Sequence, residues 1–292
     1  MNNVVSFSGG KDSTAMLLMM LERGENIHSA VFFDTGWEFP QMIEHIDKVE
    51  EYTGVNIVRL KPPRPFNYWM YECEVKARKN GLVKLSRREL SEKWDFIREN
   101  YEPDLGAKPV SRQEMISGLA GRVHRIGNGW PSPMRRWCTR TKVHSINKYL
   151  NSIQDPVSCI GYAADEAHRS DSKNIIDAIE KGKKIRFPLI EWDVDEKQAL
   201  DYCGKHGFDW GGLYRHFRRV SCFCCPLQRL SELKKLRKHY PELWAKMLEW
   251  DKSVPGHNRG FYDYMTVRHL EERFKYEESM TMWMNSNQHI KE

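Results

Sequence analysis

The sequence predicts an α/β fold: a doubly wound, mainly parallel sheet with a helical insertion and a mainly helical C-terminal region. Three observations carry the prediction. Short apolar runs alternate with helical stretches over the first sixty residues, the rhythm of a parallel sheet whose crossovers are helices. The first two runs end in polar, glycine-containing turns, Ser8-Gly9-Gly10-Lys11-Asp12-Ser13 and Asp34-Thr35-Gly36, at the strand ends where such sheets collect ligands. Beyond Trp192 the pattern turns helical.

Taken in order, Asn3 to Phe7 reads as a short buried strand, followed by the glycine-rich turn and an apolar helix from about Asp12 to Arg23. Ser29 to Phe33 is a second strand, Pro40 to Tyr52 a second helix and Asn56 to Leu60 a third strand. The rhythm breaks at Lys61-Pro62-Pro63-Arg64-Pro65, and residues 62–135 read as an insertion with a helix at about Arg87 to Asn100. It resumes with a helix at Arg140 to Asn151 and a strand at Val157 to Gly161. Helices follow at about 195–206, 229–238, 241–251 and 264–274, and the polar residues from Met280 onward are expected to be loose. This divides the chain into a nucleotide-binding α/β domain, 1–192, and a helical region, 193–292, that carries a cysteine cluster.

Charged residues make up 29% and hydrophobic ones 40% of the 292 residues, the balance of a globular protein rather than a disordered one. No apolar run approaches the roughly 18 residues of a membrane span, and no signal-peptide pattern precedes the first turn, so no membrane partner and a cytoplasmic location are expected. A net charge of +6 suits anionic partners and permits a nucleic acid. Seven cysteines, three of them in Ser221-Cys222-Phe223-Cys224-Cys225-Pro226, point to metal or redox chemistry in a reducing compartment.

The turn after the first strand has the chemistry of a phosphate cradle. Its glycines let backbone approach an anion, and the first helical turn offers free N–H donors. Lys11 is a compact cation for phosphate charge, and the Ser8 and Ser13 hydroxyls and Gly9 and Gly10 amides are donors. Asp12 would repel phosphates unless a capping bond or a bridging Mg²⁺ intervenes, and the Mg²⁺ bridge is the preferred reading. The glycine spacing does not fit the Walker pattern.

The Ser-Gly-Gly-x-Asp-Ser run instead resembles the signature of the PP-loop, or adenine nucleotide α-hydrolase, superfamily. That resemblance implies an adenine nucleotide α-hydrolase-like sheet, a pyrophosphate cradle and attack at the α-phosphate of ATP, with Lys11, Asp12 and Asp34 as candidate catalytic residues. Asp34-Thr35-Gly36-Trp37-Glu38-Phe39-Pro40 is similar to a segment of the phosphoadenylyl-sulfate (PAPS) reductase family. Arg136 to Lys142 is similar to its cysteine-plus-lysine segment, and Gly161 to Arg169 to its strand-end segment, with Tyr162 where an arginine is usual. By this correspondence Thr35 and Gly36 belong to the nucleotide site, Gly161 leaves room for the nucleotide and Arg169 meets an anionic group. Two departures count against a standard reductase. No Glu-Cys-Gly-x-His nucleophile follows Cys225, and Trp137-Cys138 stands where a cysteine pair would be.

Cys222 and Cys225 form a C-x-x-C pair, and Cys138 is the third ligand by the family correspondence. A 4Fe–4S cluster on these three thiolates would leave one iron open for sulfur. Cys224 as a fourth thiolate, a Zn²⁺ site completed by His216 or His239, and simply packed cysteines are the alternatives. Cys73, Cys159 and Cys203 read as packing residues. Arginines 122, 125, 135, 136, 140, 215, 218, 219, 229 and 237, with Lys234, Lys235 and Lys238, would form a cationic channel for nucleic acid, with Trp130 or Trp137 stacking a base, or the Lys234–Lys238 run is simply a solvated helix face.

The leading functional expectation is an ATP-cleaving, adenylating sulfurtransferase-like enzyme, with a nucleic acid as acceptor and a sulfur-donor protein as partner. The alternatives are a sulfonucleotide reductase with a variant cysteine site and a non-catalytic nucleotide sensor.

Overall fold

The structure, a computed structural model, describes residues 2–76, 124–133, 135–254, 260–262 and 265–288. The helix expected at 87–100 and the cation Arg122 lie outside them. The chain forms two compact units, residues 1–63 with 138–243, and residues 64–137 with 244–292. Residues 64–137 contain most of the segment read as an insertion, and the helical region after 193 is divided between the units.

In the first unit, β1 (Asn2–Ser6) leads into α1 (Lys11–Glu22), β2 (Ile27–Phe33), α2 (Pro40–Thr53) and β3 (Ile57–Leu60). Val4, Val5 and Phe7 are buried, as are Ala30 to Phe33, so the apolar runs form the interior of the sheet. Nearly every residue of α1 to Met20 is buried, which marks it as a central helix. The second helix buries Met42, His45, Ile46 and Val49, one face at helical spacing, and ends on Gly54 at φ 66°.

In the second unit, α3 (Phe66–Tyr71) precedes β4 (Glu74–Lys76), which pairs antiparallel with β5 (His124–Ile126). The first unit resumes through α4 (Trp137–Leu150), β6 (Pro156–Ile160), α5 (Lys173–Glu180), β7 (Lys184–Arg186), α6 (Pro188–Glu191), α7 (Glu196–Lys205) and α8 (Leu230–His239). Two short 3₁₀ segments, Ala164–Arg169 and Trp210–Arg215, fall between these elements. The last helices are α9 (Pro241–Ser253) and α10 (Val267–Gln288).

The five strands of the main sheet run parallel in the order β3-β2-β1-β6-β7. This is the α/β class that the alternation predicts. The chain builds outward from β1 through β2 to β3, then returns to the other side of β1 with β6. The switch point between β1 and β6 is where such sheets open a crevice at their carboxyl ends.

Two expectations need correcting. Residues 280–288 are helical rather than loose, since α10 continues to Gln288. Ion pairs one turn apart, Arg273–Glu277 and Lys275–Glu271, support a helix whose Met282 and Trp283 are exposed. Trp130 and Trp137 offer no stacking face to a base. Both are buried, with Trp130 Nε1 donating to Asp251 Oδ1 at 2.9 Å and Trp137 Nε1 to the Gly129 carbonyl at 3.2 Å.

Candidate functional site

The phosphate-loop residues sit where β1 meets α1. Gly9 is in the left-handed region at φ 76°, and a Cβ there would come within 2.5 Å of Met42 Sδ, so only glycine fits. Gly10 is the N-cap of α1 and no side chain caps the helix. The two loop serines are turned on each other. Ser8 N–H donates to Ser13 Oγ at 3.1 Å, the two hydroxyls are 3.1 Å apart, and Ser13 Oγ donates to the Gly10 carbonyl at 3.0 Å. The amides of Gly9, Asp12 and Ser13 meet no acceptor among the described residues. Unpaired amides at a helix N-terminus form an anion site by charge and geometry together.

Lys11 is nearly buried, and its Nζ lies 3.2 Å from the Asp12 carboxylate and 3.1 Å from Glu196 Oε2. Burial pushes the Asp12 carboxyl above its ordinary range, with Lys11 opposing. Burial also works against Glu196, but Lys11 and Arg218 prevail and hold its carboxyl below the ordinary value. Asp12 therefore finds its counter-charge in Lys11.

The loop is braced from residues distant in sequence. Trp210 Nε1 donates to the Gly9 carbonyl at 2.7 Å, Cys203 Sγ lies 3.5 Å from the Lys11 carbonyl, and Lys11 N–H donates to the Tyr214 hydroxyl at 2.7 Å. Trp210, Gly211 and Gly212 are all in the left-handed region, at φ 52°, 58° and 80°. Trp210 is the costly member, because a non-glycine residue persists in this region only where the surroundings enforce it, whereas Gly211 and Gly212 adopt it freely. At the end of β6, the space a side chain would take at Gly161 is filled by the Asp12 and Ser13 backbone, 3.2 Å from an added Cβ. The gap expected for the nucleotide thus goes to the loop itself.

Beside this loop in the sheet, the end of β2 carries the second turn. Asp34 Oδ1 accepts from Gly36 N–H at 2.8 Å, and Lys61 lies 3.7 Å from its other oxygen. Glu38 ties the turn together, accepting from Thr35 N–H at 3.1 Å and from Thr35 Oγ1 at 2.7 Å. Burial raises the Glu38 carboxyl, against the Thr35 hydrogen bond. A bridge between Glu38 and Cys222, with Phe223 N–H donating to the Trp37 carbonyl at 2.9 Å, sets the cysteine cluster against this turn. Cys222 Sγ is 3.5 Å from Thr35 Oγ1 and 3.8 Å from Glu38 Oε1.

Cys138, on the first turn of α4, shares this corner. Burial raises the thiols of Cys138, Cys222 and Cys225; Cys222 feels Glu38, Cys225 and Cys138, and Cys225 feels Cys138. Burial, then Cys222, Cys225 and Glu38, raise Cys224. Neutral thiols are what this corner favours. Among the described residues no group of three or more His, Cys, Asp or Glu side chains is arranged to hold a metal ion. As they stand the sulfurs are neighbours but not a ligand set. His216 and His239, the alternative zinc ligands, stack on each other at 4.0 Å. Cys73, Cys159 and Cys203 are buried in the interior.

Arg169 meets an anionic group of its own chain. It pairs with Glu166, which also takes Arg219, and its guanidinium lies 4.0 Å over the Tyr162 ring, itself stacked on Phe187. Arg218 pairs with Glu196 at 3.4 Å. Two cations of the expected channel, Arg218 and Arg219, are thus paired with carboxylates of the site. Glu38, Glu166, Glu196, Trp210 and Tyr214 escape sequence reasoning, because tertiary packing alone brings them to the two turns. The double glycine after Trp210 is the one local signal.

A parallel sheet with an anion-ready turn at its switch point defines a nucleotide-binding α/β protein. Residues 2–80 and 84–228 match the phosphoadenosine phosphosulfate reductase domain. The chain belongs to that family, within the PP-loop ATP pyrophosphatase superfamily. It is 27% identical over 251 residues to an uncharacterized protein of Methanocaldococcus jannaschii, a match covering 83% of this chain but 40% of that relative's length. Among solved structures it is similar to the phosphoadenylyl-sulfate reductase of Candida auris in its phosphate complex. That match has a TM-score of 0.39 and 14% identity, covering 76% of this chain and 81% of the other. It is also similar to the U34-tRNA thiolase NcsA of Methanococcus maripaludis with its [4Fe-4S] cluster. Here the TM-score is 0.34 and the identity 16%, over 94% of this chain and 73% of the other.

Proposed function

We propose that the chain binds ATP with its phosphates on the first turn of α1 and splits it into AMP and pyrophosphate. The observation that carries this reading is the set of Gly9, Asp12 and Ser13 amides that meet no acceptor among the described residues, at the start of a buried helix. Family membership agrees with it. An oxygen of an acceptor would attack the α-phosphorus, pyrophosphate would leave, and the acceptor would carry the adenylate. The amides and the Lys11 ammonium would neutralise charge building on the leaving pyrophosphate. Asp12 is the carboxylate on this turn that would hold a Mg²⁺, which would supply positive charge to the phosphates. Asp34 and Thr35, at the neighbouring strand end, and Gly36 would line the sugar side of the same crevice.

The finer reading is sulfur transfer to a nucleic acid, with sulfur from a donor protein displacing AMP from the adenylate. It rests on the thiol corner sharing the Thr35–Glu38 turn with the nucleotide site and on the basic residues at 215–219 and 229–235. A 4Fe–4S cluster or Zn²⁺ on Cys138, Cys222 and Cys225 would require those sulfurs to draw together. Anaerobic purification with iron, acid-labile sulfide and zinc analysis decides it: iron and sulfide in equal amounts support the cluster, zinc alone the alternative.

Product analysis with labelled ATP tests the main reading. AMP and pyrophosphate are expected, and ADP with phosphate would remove it. Family membership favours one second reading, a sulfonucleotide reductase. Sulfite released from adenylyl sulfate or its 3′-phosphate, without pyrophosphate, would select it.

A further inference from the structure

The Tyr214 hydroxyl is half engaged. It accepts the Lys11 amide at 2.7 Å, and a Cβ added at Gly10 would lie 3.4 Å from it. Its own proton meets no acceptor among the described residues, although a phenol hydroxyl both donates and accepts. The ring is fixed, edge-on to Trp210 at 4.8 Å, and Trp210 is itself tied to the Gly9 carbonyl. The left-handed run at 210–212 holds both aromatics against the loop. Burial pushes the phenol up, so it keeps its proton at any working pH.

A hydroxyl in this position has two fates when an anion arrives. It can yield the Lys11 amide to a phosphate oxygen, or stay and donate its free proton to one. Leaving would break the Trp210 contact. Staying lets the half-buried hydroxyl donate to a charged oxygen without giving up the Lys11 amide, and hydrogen bonds to charged groups are the stronger ones.

We propose that Tyr214 is a phosphate-binding residue: held by the Lys11 amide, its hydroxyl donates to an oxygen of the bound pyrophosphate moiety and extends the amide nest of α1. The proposal rests on the phosphate-loop reading and adds to it a ligand supplied from two hundred residues downstream.

Titration calorimetry of wild type and Tyr214→Phe with inorganic pyrophosphate and with ATP tests it. The variant should bind both more weakly by about ten- to a hundredfold, the range for one hydrogen bond to a charged acceptor, and its unliganded melting temperature should fall by a few degrees, because the Lys11 amide loses its acceptor. Unchanged or tighter binding by the variant would mean that the hydroxyl competes with phosphate or ignores it, and would overturn the proposal while leaving the loop reading intact. A wild type that binds neither compound would instead bring down the loop reading, and the proposal with it. If the variant does not fold, a crystal structure of wild type with pyrophosphate decides the point. Tyr214 Oη on a phosphate oxygen and still on the Lys11 amide supports the proposal, and Oη turned away from the loop overturns it.

Discussion

Replacing Gly161 by alanine should disturb the phosphate turn from behind. A methyl there would lie 3.2 Å from the Asp12 carbonyl carbon, the Asp12 oxygen and the Ser13 Cα. All three atoms are backbone of the first turn of a buried helix, so no rotamer change relieves them. Carbon contacts relax at about 3.5–4.0 Å, and either β6 or the start of α1 must retreat by a few tenths of an ångström. Overpacking of this kind costs about 1–3 kcal/mol, which for a chain of this size lowers the melting temperature by roughly 2–10 °C. The displaced amides are those of Asp12 and Ser13, so ATP affinity should fall by about tenfold, the lower range for a lost charged hydrogen bond. Gly204→Ala is the control. It lies within α7 with nothing within 4 Å of an added Cβ, and should gain up to about 1 kcal/mol from helix propensity alone. Scanning calorimetry and ATP titration on both variants check the argument. A Gly161→Ala protein that melts and binds like wild type would refute it, because the close approach would then have no consequence for the loop.

Lys11→Met should cost about 3 kcal/mol at neutral pH, since it strips a buried cation from the Asp12 and Glu196 carboxylates. In wild type Glu196 is held below the ordinary Glu value despite burial, so its contribution is full above that value and fades as pH falls through the folded one. In the variant burial acts on Asp12 without Lys11 to oppose it, so the cost should shrink as pH falls from 7 to 4; urea midpoints at both pH values read the difference. His45, hydrogen-bonded to Thr14 and stacked on Trp210, has its pKa lowered to about 3, chiefly by burial and then by Lys48. The folded state refuses a proton that the unfolded chain accepts near 6.5, so His45 contributes stability above pH 6.5 that drains away as pH falls towards 3. His45→Gln should flatten that slope by about one proton in the pH dependence of unfolding. Trp210→Phe removes the donor to the Gly9 carbonyl; it should weaken pyrophosphate binding several-fold at about 1 kcal/mol of stability, both measurable by calorimetry.

The parts legible in the sequence are those where local pattern and tertiary role coincide. The valines of β1 and the Ala-Val-Phe-Phe run of β2 read as strands because they are buried on the sheet interior. The turn at residues 8–13 was legible because every one of its members is contiguous in the chain. Strand β7 escaped because it is three residues long at the sheet edge with a lysine and an arginine in it. Helix α5 escaped because it buries no residue, so no core face marks it. Within the site, Glu196 and Tyr214 approach Lys11 from 185 and 203 positions away, a separation to which no local pattern reaches. Trp130 and Trp137 misled for the opposite reason: basic neighbours in sequence suggested an open surface, whereas the indoles are interior anchors with paired N–H groups.

Amide chemical shifts followed by NMR as pyrophosphate and then ATP are added test most directly whether the start of α1 is the anion site. The Gly9, Asp12 and Ser13 amides should move downfield together, saturating with the affinity that calorimetry reports. Saturable binding that leaves those three signals in place, while amides elsewhere in the chain respond, would contradict the account.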